Sequence, residues 1–153
     1  MTQIALPKID RSIVSRKDEI VKSLSKLTNS ENVLSHADEI KPYETDALAV
    51  YTQTPLAVVL PENTSEVSEI LKYCYEENIK VIPRGAGTGL SGGALPLQDA
   101  IVLGLGKFNK ILKIDFENRC VVTQTGVTNL GITHAVQHKG FYYAPDPSSQ
   151  LAC

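Results

Sequence analysis

The residues best placed to do chemistry lie in one run of twelve, Pro83-Arg84-Gly85-Ala86-Gly87-Thr88-Gly89-Leu90-Ser91-Gly92-Gly93-Ala94. Five of them are glycine, half of the ten in the chain. The run has one basic side chain and two hydroxyls, and no Asp, Glu, His or Cys. Stripping Cβ atoms from a row of backbone N–H groups makes an anion cradle. A diphosphate suits it, with Arg84 at the mouth as a bidentate partner and Thr88 and Ser91 donating O–H. The alternative is a plain turn with Arg84 on the surface, but a turn needs only about one or two glycines.

The flanking residues narrow the anion. Gly87-Thr88-Gly89-Leu90-Ser91-Gly92 matches GxGxxG letter for letter. A nicotinamide dinucleotide site needs that motif to open a helix whose N-terminus holds the pyrophosphate. Here Gly93-Ala94-Leu95-Pro96-Leu97-Gln98 follows, which is poor helix material. A mononucleotide P-loop needs Lys and then Ser or Thr after its last glycine, and Gly93 and Ala94 stand there. What remains is a strand followed by a long glycine loop that binds through its own N–H groups.

Other reactive side chains form no convincing set. His134 and His138 are four apart and share a helix face, but Glu does not follow the first, and no third ligand is evident. They read as a surface pair, and no metal site is assigned. His36 stands alone. Asp46, Asp115 and Asp146 are too far apart in sequence to argue a carboxylate pair. Tyr142 and Tyr143 suit core or strand packing better than a cofactor face. Cys74, Cys120 and Cys153 form no CxxC pair, so neither a zinc site nor a disulfide framework is indicated. Each reads as a small buried hydrophobe in a reducing cytoplasm.

The elements that must position the loop are legible from residue 55 onward. Ala57-Val58-Val59-Leu60 is an apolar run stopped by Pro61, hence a buried strand. Asn63 reads as an N-cap with Glu66 three residues on, and Val67, Ile70, Leu71 and Cys74 follow at helical spacing to about residue 78. Residues 79–83 form the next strand. The result is β-α-β in under thirty residues, with the short crossover suggesting a parallel pair. Residues 100–103 are a further strand. Residues 111–115 and 120–125 are strands joined by a hairpin turn at 116–119. Thr128 or Asn129 caps a helix through Val136, closed by Lys139 and Gly140. Before residue 55 the signal is weaker. Residues 13–27 read as one helix with Ile13, Ile20, Leu24 and Leu27 on its stripe and Ser12 as cap. Residues 32–54 give short turns, with 43–46 a solvated loop. The fold class is α/β (α+β), with a helical extension at 1–54 before the domain at 55–153.

Composition fits one globular domain. The 153 residues are 42% hydrophobic and 21% charged, enough for a core and an ordinary surface. A net charge of −2 without basic runs argues against a nucleic-acid binder. No apolar run is long enough to span a bilayer, and the first residues lack the apolar centre of a signal peptide.

The run Val81-Ile82 plus 83–93 resembles the pyrophosphate loop of the vanillyl-alcohol oxidase/p-cresol methylhydroxylase flavoprotein family. Pro55-Leu56-Ala57-Val58-Val59-Leu60-Pro61 with Ser65-Glu66-Val67 resembles its entry strand and helix. Pro145-Asp146-Pro147-Ser148-Ser149 resembles its second flavin-contacting loop. Within the family the likeness is greatest to the group of the FAD-linked glycolate oxidase subunit and the D-lactate and D-2-hydroxyglutarate dehydrogenases. The resemblance implies a PCMH-type FAD-binding domain of two α/β subdomains with FAD between them, followed by a cap carrying the substrate site. It implies that Pro83, Arg84, Gly85, Ala86, Gly87, Thr88 and Gly89 contact the pyrophosphate and nearby flavin through main-chain groups, continued by Leu90 and Ser91. Pro145, Asp146, Ser148 and Ser149 would line the path to the flavin ring. Thr88 stands where some relatives tether FAD through His, so FAD is expected to be non-covalent.

The resemblance further implies oxidation of a small D-2-hydroxy acid, glycolate or D-lactate. Electrons would pass to an iron–sulfur or other electron-transfer subunit. The enzyme would be cytoplasmic or held at the inner membrane through that partner. A related oxidase of another substrate class and an inactive fragment or interaction module are the alternatives. Family members continue well past residue 153, where their metal-binding and substrate-orienting residues lie. The chain is therefore expected to be an N-terminal piece, inactive alone and weak in FAD binding.

Overall fold

The computed structural model describes residues 7–145, 148 and 150–152. Its centre is a four-stranded sheet in the order β1-β2-β4-β3, formed by Val33–Leu34 (β1), Ala57–Val59 (β2), Ala100–Gly104 (β4) and Lys80–Arg84 (β3). Strands β2 and β3 both run parallel to β4, and β1 is antiparallel to β2. The two strands of the expected β-α-β pair are therefore parallel but not neighbours. β4 enters between them, with Val58 beside Val102 and Ile82 beside Val102 from the other side. A central strand buried on both faces must be apolar throughout, and all five residues of β4 are buried.

Side chains alternate across this sheet with the strand period of two. Ala57, Val59, Ile101 and Leu103 point into the larger core with Ile20, Leu24, Ile70 and Cys74. Those last four come from helix α2, Lys17–Leu24, and helix α4, Thr64–Glu76. Val58 and Val102 point the other way onto Ile40 of the short helix α3, Ala37–Ile40, with Leu34, Tyr43, Leu60 and Ile82 partly buried around them. Ile101 is wholly buried, and removing a side chain of that size from water stabilises by about 1.5–3 kcal/mol. Cys74 belongs to this core, and burial pushes its thiol up to about 12. Cys120 departs from expectation: it is exposed at the start of a hairpin strand. Cys153 lies outside the described residues.

Helix α4 starts as its sequence dictates. Asn63 Oδ1 accepts the Glu66 N–H at 3.0 Å, and Glu66 reaches back to the Glu62 N–H at 2.9 Å. It ends at Asn78, whose φ of 56° is left-handed, with Ile79 N–H returning to the Cys74 carbonyl at 2.8 Å. That is a Schellman-type stop with Asn in the place glycine usually takes.

The N-terminal segment differs from the single helix expected. Arg11–Ser15 (α1) and α2 are separate, and Asp10 rather than Ser12 caps the first, accepting the Ser12 N–H at 2.9 Å. The break falls at Arg16, which is turned outward to Glu19 and Glu77 at 3.1 and 2.6 Å. Ile13, Ile20 and Leu24 are buried, and Leu27 packs partly against them. Val33–Leu34 extends the main sheet, so this segment shares one core with strands β2 to β4 and helix α4.

A second, two-stranded sheet comes after β4: Ile111–Asp115 (β5) and Cys120–Thr123 (β6) pair antiparallel with a bulge between Ile111 and Lys113. Asp115 holds the hairpin turn, accepting the Asn118 N–H at 3.0 Å, and Arg119 takes a left-handed φ of 52°. Helix α5, Asn129–Val136, comes next, capped by Thr128 Oγ1, which accepts the Gly131 N–H at 3.0 Å. A 3₁₀ turn over Gln137–Lys139 ends at Gly140, φ 76°. His134 and His138 are exposed, and His138 sits edge-on to Phe116 at 6.0 Å. Tyr142 and Tyr143 are neither core nor strand: they are exposed beside an 80 Å³ hollow under the hairpin.

Candidate functional site

The parallel strands β3 and β4 end side by side, Arg84 beside Gly104. In open α/β sheets the crevice beyond the carboxyl ends of the strands is where ligands bind. The glycine loop leaves β3 there with no helix after it, only bends and turns through residue 99. The Leu105 N–H donates to the Arg84 carbonyl at 2.9 Å, extending the ladder by one bond before the chains diverge.

Within the loop Gly85, Ala86, Thr88, Gly89, Leu90 and Ser91 are exposed. Among the described residues, no acceptor is paired with the N–H groups of Gly85, Ala86 or Gly89. Gly87 and Gly92 have left-handed φ values of 75° and 76°, which β-carbon-bearing residues rarely adopt. A Cβ added at Gly85 or Gly89 would meet nothing within 4 Å, so those positions are bare backbone facing open space.

Arg84 is not at the mouth. Its Nη1 donates to the carbonyls of Thr45 at 2.7 Å and Ala94 at 3.3 Å, and its Cζ lies 5.5 Å from the centre of the Tyr43 ring. The loop at 43–46 is not a solvated one either: Tyr43, Glu44 and Thr45 are half-buried and Asp46 is buried. Asp46 is 5% exposed, and its Oδ1 accepts the Leu48 N–H at 3.0 Å. The Ala47 N–H donates to the Gly87 carbonyl at 2.9 Å. Sequence patterning missed this because a single buried Asp in a short loop has no periodicity to betray it.

Two more segments complete the crevice. The turn after β4 is anchored by Lys107, whose Nζ donates to Asn32 Oδ1 at 2.6 Å and Glu62 Oε1 at 2.9 Å. The segment between β6 and α5 closes against that turn: the Gly126 N–H donates to the Phe108 carbonyl at 2.7 Å. A Cβ on Gly126 would fall 2.8 Å from the Leu105 carbonyl oxygen and 2.9 Å from that of Phe108. Glycine is required there by close backbone approach, and its φ is not left-handed. Gly126 is the lining residue of this crevice that sequence reasoning passed over. The signal was a glycine between a strand and the Thr128 cap.

Gly85, Ala86, Gly106, Thr125, Gly126, Val127 and Ala152 enclose a 160 Å³ hollow. A shallower one of 380 Å³ adjoins it through Gly106, Gly126 and Val127 and reaches Thr128 and Gly131 at the start of α5. Among the described residues, neither is lined by a carboxylate. The residues present fit a diphosphate: bare N–H groups on one side, a helix start on another, and no anion among the described lining residues to repel it. Pro145 and Ser148 are exposed, and Ala152 brings the C-terminal segment back to the glycine loop. Asp146, Pro147 and Ser149 lie outside the described residues. Among the described residues no group of three or more His, Cys, Asp or Glu side chains could hold a metal. No helix there is long and apolar enough to cross a membrane.

Comparison with known proteins agrees with this geometry. Residues 55–153 match the FAD binding domain family. The chain is 44% identical over 149 residues to the glycolate oxidase subunit GlcD of Escherichia coli (strain K12), covering 97% of this chain and 29% of that protein. It is 38% identical over 117 residues to a D-lactate dehydrogenase of Anaerostipes hadrus, covering 75% of this chain and 25% of that protein. Its fold superposes on p-cresol methylhydroxylase with substrate bound at a TM-score of 0.72 and 27% identity, covering 82% of this chain and 25% of that one. The chain thus spans less than a third of the length of these relatives.

Proposed function

The chain belongs to the FAD binding domain family, of the p-cresol methylhydroxylase type, and from that premise we propose that it forms one wall of an FAD site in an oxidase of small D-2-hydroxy acids. The observation that carries this reading is the five-glycine loop. It stands at the carboxyl ends of two parallel strands, where Gly85 and Ala86 border a hollow; among the described residues their N–H groups have no acceptor and no carboxylate lines it.

On this reading Gly85, Ala86, Gly87 and Gly89 present main-chain groups to the diphosphate, with Thr88, Leu90 and Ser91 continuing the wall. Pro83 stands next to last in the strand that leads into the loop, and Gly126 with Val127 forms the facing side. Pro145, Asp146, Ser148 and Ser149 line the approach to the ring. When bound, FAD supplies the two-electron chemistry, and the protein supplies position and electrostatics. No acid or base in this chain is assigned to the reaction. Glycolate or D-lactate is the substrate on the strength of the likeness to the glycolate oxidase subunit and the D-lactate dehydrogenase. An iron–sulfur or other electron-transfer subunit is the acceptor, since one relative is itself a subunit. The setting is cytoplasmic or at the inner membrane through that partner. Thr88 offers no imidazole for a flavin tether, so FAD is held non-covalently.

A chimera tests this. Placed in the E. coli glycolate oxidase subunit in exchange for the matched segment, the chain supports dye reduction by glycolate or D-lactate, and acid precipitation releases the yellow colour. Colour retained in the denatured pellet would overturn non-covalent binding. A flavin-loaded chimera that reduces dye with neither acid would overturn the substrate class.

A further inference from the structure

We propose that Arg84 is a positioning residue, a brace that sets the shape of the glycine loop from beneath and does not touch the diphosphate. This deepens the FAD reading and rests on it for its ligand, though the brace itself is visible without one.

Three points of the loop meet at this one side chain. Arg84 is the last residue of β3, where the loop begins. Its Nη1 binds the carbonyl of Ala94, where the loop ends, at 3.3 Å. Its guanidinium packs against Gly87, in the middle, so closely that a Cβ there would lie 2.5 Å from Cζ. The far side of the brace is the 43–47 loop. Nη1 also binds the Thr45 carbonyl at 2.7 Å, the Tyr43 ring faces the cation at 5.5 Å, and the Ala47 N–H holds the Gly87 carbonyl at 2.9 Å.

The chemistry of the support suits a cation held in place. Thr45 is fixed by its own hydroxyl, which donates to the carbonyls of Asp46 at 3.0 Å and Tyr51 at 3.1 Å. The next residue, Asp46, is buried, and among the described residues its Oδ2 accepts no hydrogen bond. An arginine that binds phosphate presents its planar guanidinium fork to the open crevice. Arg84 instead spends donors on main-chain carbonyls and its face on an aromatic ring, a combination an ammonium cannot reproduce. A five-glycine loop has little stiffness of its own, and ordering it only on binding would weaken affinity. Fixing its beginning, middle and end in advance removes much of that cost.

The experiment is amide hydrogen exchange on the ligand-free chain, wild type against Arg84→Lys and Arg84→Gln, followed by titration with FAD and with inorganic pyrophosphate. The Ala47 amide reports the brace directly. In both variants its exchange rises about tenfold, the scale of one lost charge-assisted hydrogen bond. Amides of Ile101, Val102 and Leu103 in the core strand stay protected and show that the fold is intact. FAD and pyrophosphate affinities fall by a similar factor in both variants, and their salt dependence is unchanged because no ligand-contacting charge is lost. Ala47 exchange that is unchanged in Arg84→Lys overturns the brace. Affinity retained in Arg84→Lys but lost in Arg84→Gln, with a weaker salt dependence, assigns Arg84 to the phosphate instead.

Should the Arg84 variants lose protection in the core strand, Gly87→Ala approaches the same contact from the other side. It exposes Ala47 alone, and combined with Arg84→Gln its effect on Ala47 exchange is less than the product of the two. Independent, multiplying effects overturn the brace. Wild-type chain that binds neither FAD nor pyrophosphate defeats the FAD reading while leaving the exchange result to decide the brace.

Discussion

Gly126 and Gly85 line the same hollow, yet they are glycine for different reasons. At Gly85 an added Cβ meets nothing within 4 Å, so its value is an unobstructed N–H. At Gly126 an added Cβ meets three carbonyl oxygens, of Leu105, Phe108 and Gly106, at 2.8, 2.9 and 3.2 Å. These are backbone atoms and cannot swing away as a side-chain tip would. Gly126→Ala is therefore expected to destabilise by about 1–3 kcal/mol in urea unfolding, as overpacked sites do. Gly85→Ala should stay within about 0.5 kcal/mol of wild type. Equal midpoints for the two variants would contradict the close approach at Gly126. At this scale the sequence was only partly readable. The glycine loop announced itself by density. Gly126 was a lone glycine, and the burial of Asp46 and the inward turn of Arg84 depend on residues about forty positions away, which no local pattern encodes.

Helices and strands were legible where a period and a stop coincided. The strand ended by Pro61, the helix capped by Asn63, the hairpin at 116–119 and the helix capped by Thr128 all stand as read. The failures are elements held by tertiary contact. Two residues, Val33 and Leu34, cannot show an alternation, yet they pair with Val59 and Val58. The insertion of β4 between β2 and β3 is a pairing of segments far apart in sequence. The start of strand β4 is also joined to β3 by charge. Asp99, just before it and 2% exposed, accepts from Lys80 Nζ at 2.6 Å and from the Asp10 N–H at 2.7 Å. Burial alone would raise this carboxyl, but those hydrogen bonds and the Lys80 charge outweigh it and hold it below its ordinary value.

Acid therefore weakens this junction. A carboxyl lowered in the folded state contributes stability that is fully present above the unfolded value, about 4, and is lost as pH falls through the folded value. Asp99→Asn should cost about 1–3 kcal/mol at pH 7, and its stability should fall less steeply below pH about 4 than wild type does. Some decline remains from Asp10, Glu62 and Asp115, whose carboxyls are also lowered. Urea midpoints between neutral and acid pH give the test. Parallel profiles for the two proteins would show that Asp99 makes no such contribution.

For the molecule as a whole, the sheet and the glycine loop form the wall of the proposed site. The chain spans 29% of the glycolate oxidase subunit it matches, and large apolar side chains such as Leu112, Val122, Tyr142 and Leu151 are exposed on the described part. Apolar surface of this kind favours association. One wall of a binding cleft also supplies only part of the contact energy, and each tenfold in affinity corresponds to about 1.4 kcal/mol. The isolated chain should therefore bind FAD more weakly than micromolar, but at the right place. Amide NMR of the labelled chain during FAD titration locates the binding wall residue by residue. Shifts concentrate at Gly85, Ala86, Gly89 and Gly126, are matched by pyrophosphate at the glycine-loop amides and are absent with riboflavin, which lacks the diphosphate. Shifts that spare the glycine loop at saturating FAD, or that riboflavin reproduces there, would contradict that location.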